Sequence, residues 1–251
     1  MNDAFSLAYL YDAHHQRHLE DLPFWLALAR QASGPILELG CGTGRILLPL
    51  LQSGLPIIGL DRDAHMLAVL LEKSNPAKLS PSLIQADMSA FFLAQQFSLI
   101  ILPCNTLSTL DDRARTAMLK LVSNHLSPGG IFSAVLPNPR LLSSLPRQAE
   151  PEEDERFLHP SSGSLVRVSS SWEHDRHTFT LYWFYDLISG DQVSQRLTAT
   201  TIHRIIPTSQ YFEEFQTAGL TIQHKYGDFN RRPFGHHSNN LIILAKKPET
   251  G

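Results

Sequence analysis

The chain has little cysteine: Cys41 and Cys104 are the only two among its 251 residues. So small a number indicates neither a disulfide framework nor a cysteine-bound zinc site. It also lacks a block of like charge. Net charge is −3 and no long basic run occurs, so nucleic acid is not an expected partner. No stretch approaches an uninterrupted membrane-spanning apolar run, and Met1 to Tyr11 shows no basic segment followed by an apolar one. Membrane insertion and a secretory leader are therefore not expected, and a cytoplasmic location is. The 12 histidines are many. None falls in an H-E-x-x-H or other tight ligand spacing, so no metal site is expected. Internal repeats and low-complexity tracts are missing too.

What is present is the composition of a protein with a substantial core, 43% hydrophobic and 18% charged. Its length suits one large domain or a domain with an embedded subdomain. The organising stretch is Ile36-Leu37-Glu38-Leu39-Gly40-Cys41-Gly42-Thr43-Gly44-Arg45. It reads as a buried strand, a glycine-rich turn, and a helix from near Gly44 through Leu51. Glycines at alternate positions let a backbone turn tightly and approach a ligand closely.

Residues from about Phe5 to Gln31 read as helical, with Asp21 as a cap before Pro23. The run His14-His15-Gln16-Arg17-His18 reads as a solvated helix face. Further strands are expected at Pro56–Leu60, Ser82–Gln85, Ser98–Leu102 and Ile131–Leu136. Helices are expected after Asp63, over Ala90–Gln95 and over Asp111–Leu126. Continuous apolar strands alternating with helices predict a doubly wound α/β sheet. Glu150 to Glu155 reads as an acidic loop. From Leu165 to Ile206 the period becomes that of strands, with a turn at Ser189-Gly190-Asp191, and predicts an antiparallel insertion of three or four strands. Thr208 to Ala218 reads as a helix capped by Thr208 or Ser209 and stopped by Gly219. Thr221–Tyr226 and Leu241–Lys246 read as the closing strands. The resulting division is a helical cover over 1–33, an α/β core over 34–140 and 207–251, and a β lid over 141–206.

Ligands of such sheets lie outside the carboxyl ends of the strands. Asp61, Asp87 and Cys104 are all expected there, on the rim that carries the glycine turn. Asp61 suits the vicinal hydroxyls of a ribose, because one carboxylate accepts from both. Asp87 suits an exocyclic adenine amine, with Met88 beside the ring.

With these residues the chain resembles the class I S-adenosylmethionine-dependent methyltransferases of small-molecule type. E-x-G-x-G-x-G at Glu38 to Gly44, Asp61, Asp87-Met88 and the helix–strand–strand ending carry the resemblance. It implies a Rossmann-like seven-stranded sheet with an antiparallel last strand, plus the inserted lid. It implies S-adenosylmethionine as cofactor and a small-molecule N or O nucleophile as acceptor. Gly40, Cys41 and Gly42 would approach the methionine part, with Glu38 helping to hold the loop. Asp61 would bind the ribose, Arg62 would lie beside the adenosine, and Met66, Asp87 and Met88 would surround the adenine. The segment Pro103-Cys104-Asn105 would approach the sulfonium end and the acceptor. Tyr11, with Tyr9, resembles a tyrosine-bearing segment that folds over the cofactor. Trp172, Tyr182, Trp183 and Tyr185 are candidates to face the acceptor. His203 and His236-His237 are possible bases, left outside the catalytic set, which stays unassigned. The segment Tyr226-Gly227-Asp228-Phe229 would close the pocket or shape the last strand connection. A binding protein without transfer activity, and a nicotinamide-dependent dehydrogenase, are the alternatives. The second lacks support, because Gly40, Gly42 and Gly44 do not make G-x-G-x-x-G.

Overall fold

The computed structural model describes residues 3–190 and 192–249. It holds a sheet of seven strands in the order β10-β11-β5-β4-β1-β2-β3 and a separate antiparallel sheet of four, β6-β7-β8-β9. The strands of the large sheet are β1 (Ile36–Leu39), β2 (Ile57–Asp61), β3 (Ser82–Gln85), β4 (Phe97–Leu102), β5 (Leu126–Pro137), β10 (Thr221–Tyr226) and β11 (Asn240–Lys246). β1 pairs in parallel with β2 and β4, and these in turn with β3 and β5. β11 runs antiparallel between β5 and β10. The chain therefore starts at the centre of the sheet, winds outward to β3, and returns across β1 to β4. That return makes a switch point beside β1.

Side-chain alternation along the strands feeds two cores. Leu37, Leu39, Ile100 and Leu102 point to a layer made by α5 (Asp112–His125) and α7 (Thr208–Thr217), through Met118, Val122, Tyr211 and Phe215. Ile36, Leu99 and Ile101 point to the opposite layer, where α2 (Leu22–Arg30), α3 (Leu47–Gln52) and α4 (Ala64–Ser74) bring Trp25, Leu28, Leu47, Leu50 and Leu70. Asp63 caps α4 through its side chain and Asp111 caps α5.

The small sheet is a meander of β6 (Gln148–Leu158), β7 (Leu165–His174), β8 (Thr178–Ser189) and β9 (Gln192–Arg204). Its core of Phe157, Val166, Val168, Tyr185 and Leu197 also takes in Leu10 from α1 (Asp3–His15). It is tied to the rim of the large sheet where Ser108 Oγ and His203 Nδ1 meet at 2.8 Å. Gly190, at φ +61, turns β8 into β9. Asp191, the third residue expected in that turn, lies outside the described residues.

Several local expectations are corrected. The first helical stretch divides at residues 16–21, and Asp21 makes no side-chain cap for α2. Its carboxylate is taken instead by Trp25 Nε1 at 2.9 Å and by Arg45. The helix after the glycine turn begins at Leu47 rather than near Gly44. Ala90–Gln95 is irregular, held against α5 by Leu93 N donating to His125 Nε2 at 3.0 Å and by Phe91 stacked on that ring. Glu150–Glu155 is not a loop but part of β6, an outer strand with register shifts at 149/152 and 153/155. Charge, proline and bulges are what protect an exposed sheet edge. Pro207 occupies the N-cap position of α7 without a side-chain cap, so neither Thr208 nor Ser209 serves there.

Candidate active site

The glycine turn leaves β1 and lies back on β2. Gly40 N and Cys41 N both donate to Leu60 O, at 2.7 and 3.0 Å. The three turn glycines have φ of +67, +52 and +83, for Gly40, Gly42 and Gly44. They differ in what surrounds them. A Cβ on Gly44 would stand 2.8 Å from Leu70 Cγ, so this glycine seats the turn on α4. A Cβ on Gly40 would stand 3.3 Å from Met88 Cε, which brings Met88 across the turn. A Cβ on Gly42 would meet nothing within 4 Å, so its backbone borders open space. Gly59 permits the seating from below: a Cβ there would lie 2.3 Å from Leu47 Cδ1 and 2.8 Å from Cys41 Sγ. Cys41 is accordingly buried, and burial pushes its thiol pKa up.

Asp61 ends β2 beside this opening. Its Oδ2 accepts from Gly42 N at 2.8 Å and its Oδ1 from Asp63 N at 2.9 Å. A carboxylate offers about four lone-pair sites, so acceptor capacity remains after both bonds. Met66 is linked to it only through Asp63, whose Oδ1 accepts from Met66 N at 3.4 Å. Asp87 is exposed; its Oδ1 accepts from Ser89 N and Ser89 Oγ at 2.8 and 2.7 Å. Those bonds, with the Arg62 charge, hold its carboxyl below the ordinary range. Arg62 is thereby placed beside Asp87.

Glu38 lies buried at the base of the turn, with Oε2 lacking any hydrogen-bond partner. Burial pushes its pKa well up, opposed by Arg45 and reinforced by Asp21 and Asp61. After β4, Pro103 is buried while Cys104 is exposed. Cys104 and Asn105 have φ of +60 and +59, a left-handed pair without glycine. Such strain persists where surrounding contacts over-determine it. Here Thr106 Oγ1 holds Pro103 O at 3.0 Å, Ser108 Oγ holds Asn105 O at 2.8 Å, and Arg45 Nη2 reaches Cys104 Sγ at 3.1 Å. Asn105 Oδ1 is buried and unpartnered.

The N-terminal helices close over this rim through polar ties to the turn itself. Arg45 Nη1 and Nη2 grip Asp21 Oδ1 and Oδ2 at 2.5 and 2.7 Å, and Nη1 also donates to His18 O at 2.7 Å. Lys73 Nζ donates to Asp12 Oδ1 at 2.5 Å and to Thr43 O at 2.9 Å. Tyr9 donates to Glu72 Oε2. Tyr11 stacks on His15, centroids 3.9 Å apart, and its hydroxyl pKa rises through burial and the nearby Cys104, Tyr185 and Asp61. Gly40, Cys41, Gly42, Asp61, Met88, Cys104 and Tyr11 are thus assembled at one place.

The histidine run is a solvated face only in part: Gln16, Arg17 and His18 are exposed. His14 is buried, its Nδ1 3.2 Å from the Tyr185 hydroxyl and its ring edge-on to Trp183 at 4.7 Å. Tyr185 and Trp183 therefore face α1. Trp172 and Tyr182 are used elsewhere, donating to Pro146 O at 3.1 Å and Glu173 Oε1 at 2.6 Å. His203 is buried, and burial pushes its pKa to about 4. His236 and His237 are exposed. The Tyr226–Phe229 segment shapes the β10–β11 connection: Gly227 N bonds Arg232 O, Asp228 Oδ1 accepts from Asn230 N, and Phe229 packs edge-on to Phe24. Sequence reasoning gave no role to Arg45, Asp12 or Lys73. Arg45 had a signal, since it follows the glycines directly. A cavity of about 390 Å³ at the amino ends of β1, β4 and β5, bordered by Gly34-Pro35, Ser98 and Ser127–Ile131, has no titratable lining.

Residues 36–130 match the family model described as a methyltransferase domain. YqeM of Bacillus subtilis strain 168, which bears a provisional methyltransferase name, is 25% identical over 232 residues, covering 90% of this chain and 89% of that protein. An S-adenosylmethionine-dependent methyltransferase from Clostridium acetobutylicum ATCC 824 superposes with a TM-score of 0.79 at 19% identity, over 96% of this chain and 98% of that one. The sugar N-methyltransferase KedS8 from Streptoalloteichus sp. ATCC 53650 gives 0.76 at 16% identity, over 95% and 93%. Residues 36–130 therefore match a methyltransferase domain, and the fold over nearly the whole chain is the one seen in S-adenosylmethionine-dependent methyltransferases. No helix among the described residues is long and apolar enough to cross a membrane.

Proposed function

We propose that this chain methylates an amine nitrogen of a small molecule, using the rim at Gly42 and Asp61 as its S-adenosylmethionine site. The observation that carries the reading is the unpartnered buried Glu38 Oε2 under a glycine turn whose Gly42 borders open space. A buried acceptor without a donor is costly. The ammonium end of a methionine moiety supplies the donor that Glu38 lacks, and Asp61 retains acceptor sites for ribose hydroxyls. Asp87 with Arg62, Met66 and Met88 would hold the adenine, and Gly40, Cys41, Pro103, Cys104 and Tyr11 the sulfonium side.

S-adenosylmethionine supplies an electrophilic methyl group. The protein's share is orientation and a dry site. Residues 1–33 would serve as the cover, 34–140 and 207–251 as the cofactor core, and 141–206 as the lid. The α1–lid contact through Tyr11, His14, Trp183 and Tyr185 would exclude water from the acceptor. Nitrogen is favoured over oxygen by Asn105 Oδ1, a second buried acceptor beside Cys104. An amine attacks through its own lone pair and needs an acceptor for N–H rather than a strong base. Two structural neighbours, KedS8 and the glycopeptide N-methyltransferase MtfA, are named for nitrogen transfer. Cytoplasmic residence fits a soluble metabolite as acceptor.

The test is calorimetry with S-adenosylmethionine and S-adenosylhomocysteine, then transfer of labelled methyl to a panel of amino sugars, polyamines and matched alcohols. Micromolar binding with label on amines is the expected result. Label on the alcohols alone overturns the nitrogen assignment. Binding without transfer to any acceptor makes the chain a cofactor-binding protein, and failure to bind overturns the reading entirely.

A further inference from the structure

A second cluster lies where the cover meets the lid, away from the glycine turn. His14 near the end of α1 and His18, in the connection that follows it, face Glu155 of β6. Glu155 Oε1 stands 3.6 Å from His14 Nε2 and 4.0 Å from His18 Nε2. One ligand atom from each of the three lies within 4.8 Å of the others. Oε1 is buried without a hydrogen-bond partner, while Arg17 Nε stands 3.4 Å from Oε2. Arg17 thus occupies one oxygen and leaves the other toward two imidazoles. The His14 ring is backed at its remaining nitrogen, Nδ1, by the Tyr185 hydroxyl at 3.2 Å. Ligating histidines regularly give their second N–H to such a partner, which aims the other lone pair at the metal.

We propose that His14, His18 and Glu155 bind one divalent transition-metal ion of the zinc type, joining the helical cover to the lid. In a tetrahedral site with bonds near 2.0–2.1 Å the ligand atoms stand about 3.4 Å apart. The His14–Glu155 pair is already close to that spacing. The His18 ring, exposed at the surface, has to swing inward from 4.0 Å to Glu155 and from within 4.8 Å of His14. Two imidazoles and a monodentate carboxylate leave a position for water, and imidazole with carboxylate suits zinc, cobalt or nickel rather than calcium. The ion would sit behind Trp183 and Tyr185 and hold α1 against β6. Its role is closure rather than contact with reacting atoms, so the inference stands apart from the methyl-transfer reading.

The experiment uses the full chain, stripped with a chelator and titrated with Co(II). One equivalent is expected to give visible ligand-field bands, to be displaced by Zn(II), and to raise the melting temperature. His18→Ala and Glu155→Gln change an exposed ring and an outer strand, so both variants should fold, as far-UV circular dichroism would show. Each is expected to weaken Co(II) binding about a hundredfold, whereas Asp61→Asn leaves it unchanged. Absence of the bands in the wild type overturns the proposal, and so does wild-type affinity for Co(II) in either variant.

Discussion

Asp61→Asn tests the proposed cofactor site at its most exposed link. The substitution keeps the shape of the side chain but removes its charge and turns one acceptor into a donor. In the structure both carboxylate oxygens already serve backbone N–H groups, Gly42 at 2.8 Å and Asp63 at 2.9 Å. An amide can satisfy only one of them, which costs about 1 kcal/mol of stability. In a chain of this size that lowers Tm by about 2–4 °C. The effect on binding should be larger. A charge-assisted hydrogen bond to a ribose hydroxyl is worth about 1.5–3 kcal/mol. Losing most of one such bond predicts roughly 30- to 150-fold weaker binding of S-adenosylhomocysteine, or about 2–3 kcal/mol.

Calorimetry should include the 2′-deoxyribose analogue, because the pair of ligands and the pair of proteins make a thermodynamic cycle. If Asp61 reads that hydroxyl, its removal weakens binding strongly in the wild type and little in the variant. Additive losses would mean that Asp61 acts only by supporting the turn. A change of less than threefold in homocysteine-ligand affinity would refute the assignment.

Gly42→Ala places a methyl group in open space at φ +52. It should cost about 1 kcal/mol in a urea titration while weakening S-adenosylhomocysteine binding at least tenfold in the same calorimeter. Gly59→Ala puts a methyl 2.3 Å from Leu47 Cδ1, and should instead cost about 1–3 kcal/mol of stability by displacing the turn. Arg45→Met leaves Asp21 buried without its cation, for an expected loss of about 3–5 kcal/mol; adding Asp21→Asn should restore part of it, and a neutral single variant would sink the argument. His203 sets an acid limit. Burial depresses its pKa to about 4 in the folded chain, against about 6.5 unfolded, so the unfolded chain alone takes up the proton in between. Its contribution is lost as pH falls from about 6.5 to about 4, at up to about 1.4 kcal/mol per pH unit. Urea midpoints at pH 7, 6 and 5 in chelator should show a slope that His203→Asn flattens by one proton.

The elements that were legible in the chain are those whose pattern is local. Ile36–Leu39 and Phe97–Leu102 are apolar but for Glu38 and Ser98, because both faces of the sheet are covered. Glycine at alternate positions announces a turn that must approach something. The acidic stretch at 150–155 misleads because solvation and edge-strand protection use the same residues. Only pairing with β7 decides between them. The ties that build the site were illegible for another reason. Arg45 with Asp21, Lys73 with Asp12 and Glu155 with His14 join segments far apart in the chain, and spacing rules see only neighbours.

The histidine run shows where a local pattern held more than it was asked for. Taken alone, His14 to His18 is polar and suggests water. Extended backward, however, Leu7, Leu10 and His14 follow one another at helical spacing on one face of α1, and His18 lies just beyond its end. Leu10 is fully buried in the core of the small sheet, and Leu7 packs against it. A histidine one turn beyond a buried leucine must meet whatever that leucine meets. Here that is β6 and β8, with Glu155, Trp183 and Tyr185. The face of the cover helix therefore changes from apolar to ligand-bearing along its length, while its partner stays the same sheet. Apolar burial at Leu10 sets the docking of cover on lid, and the polar cluster at its end is placed by that docking, which is why chelation or loss of His18 should loosen the cover without unfolding either sheet.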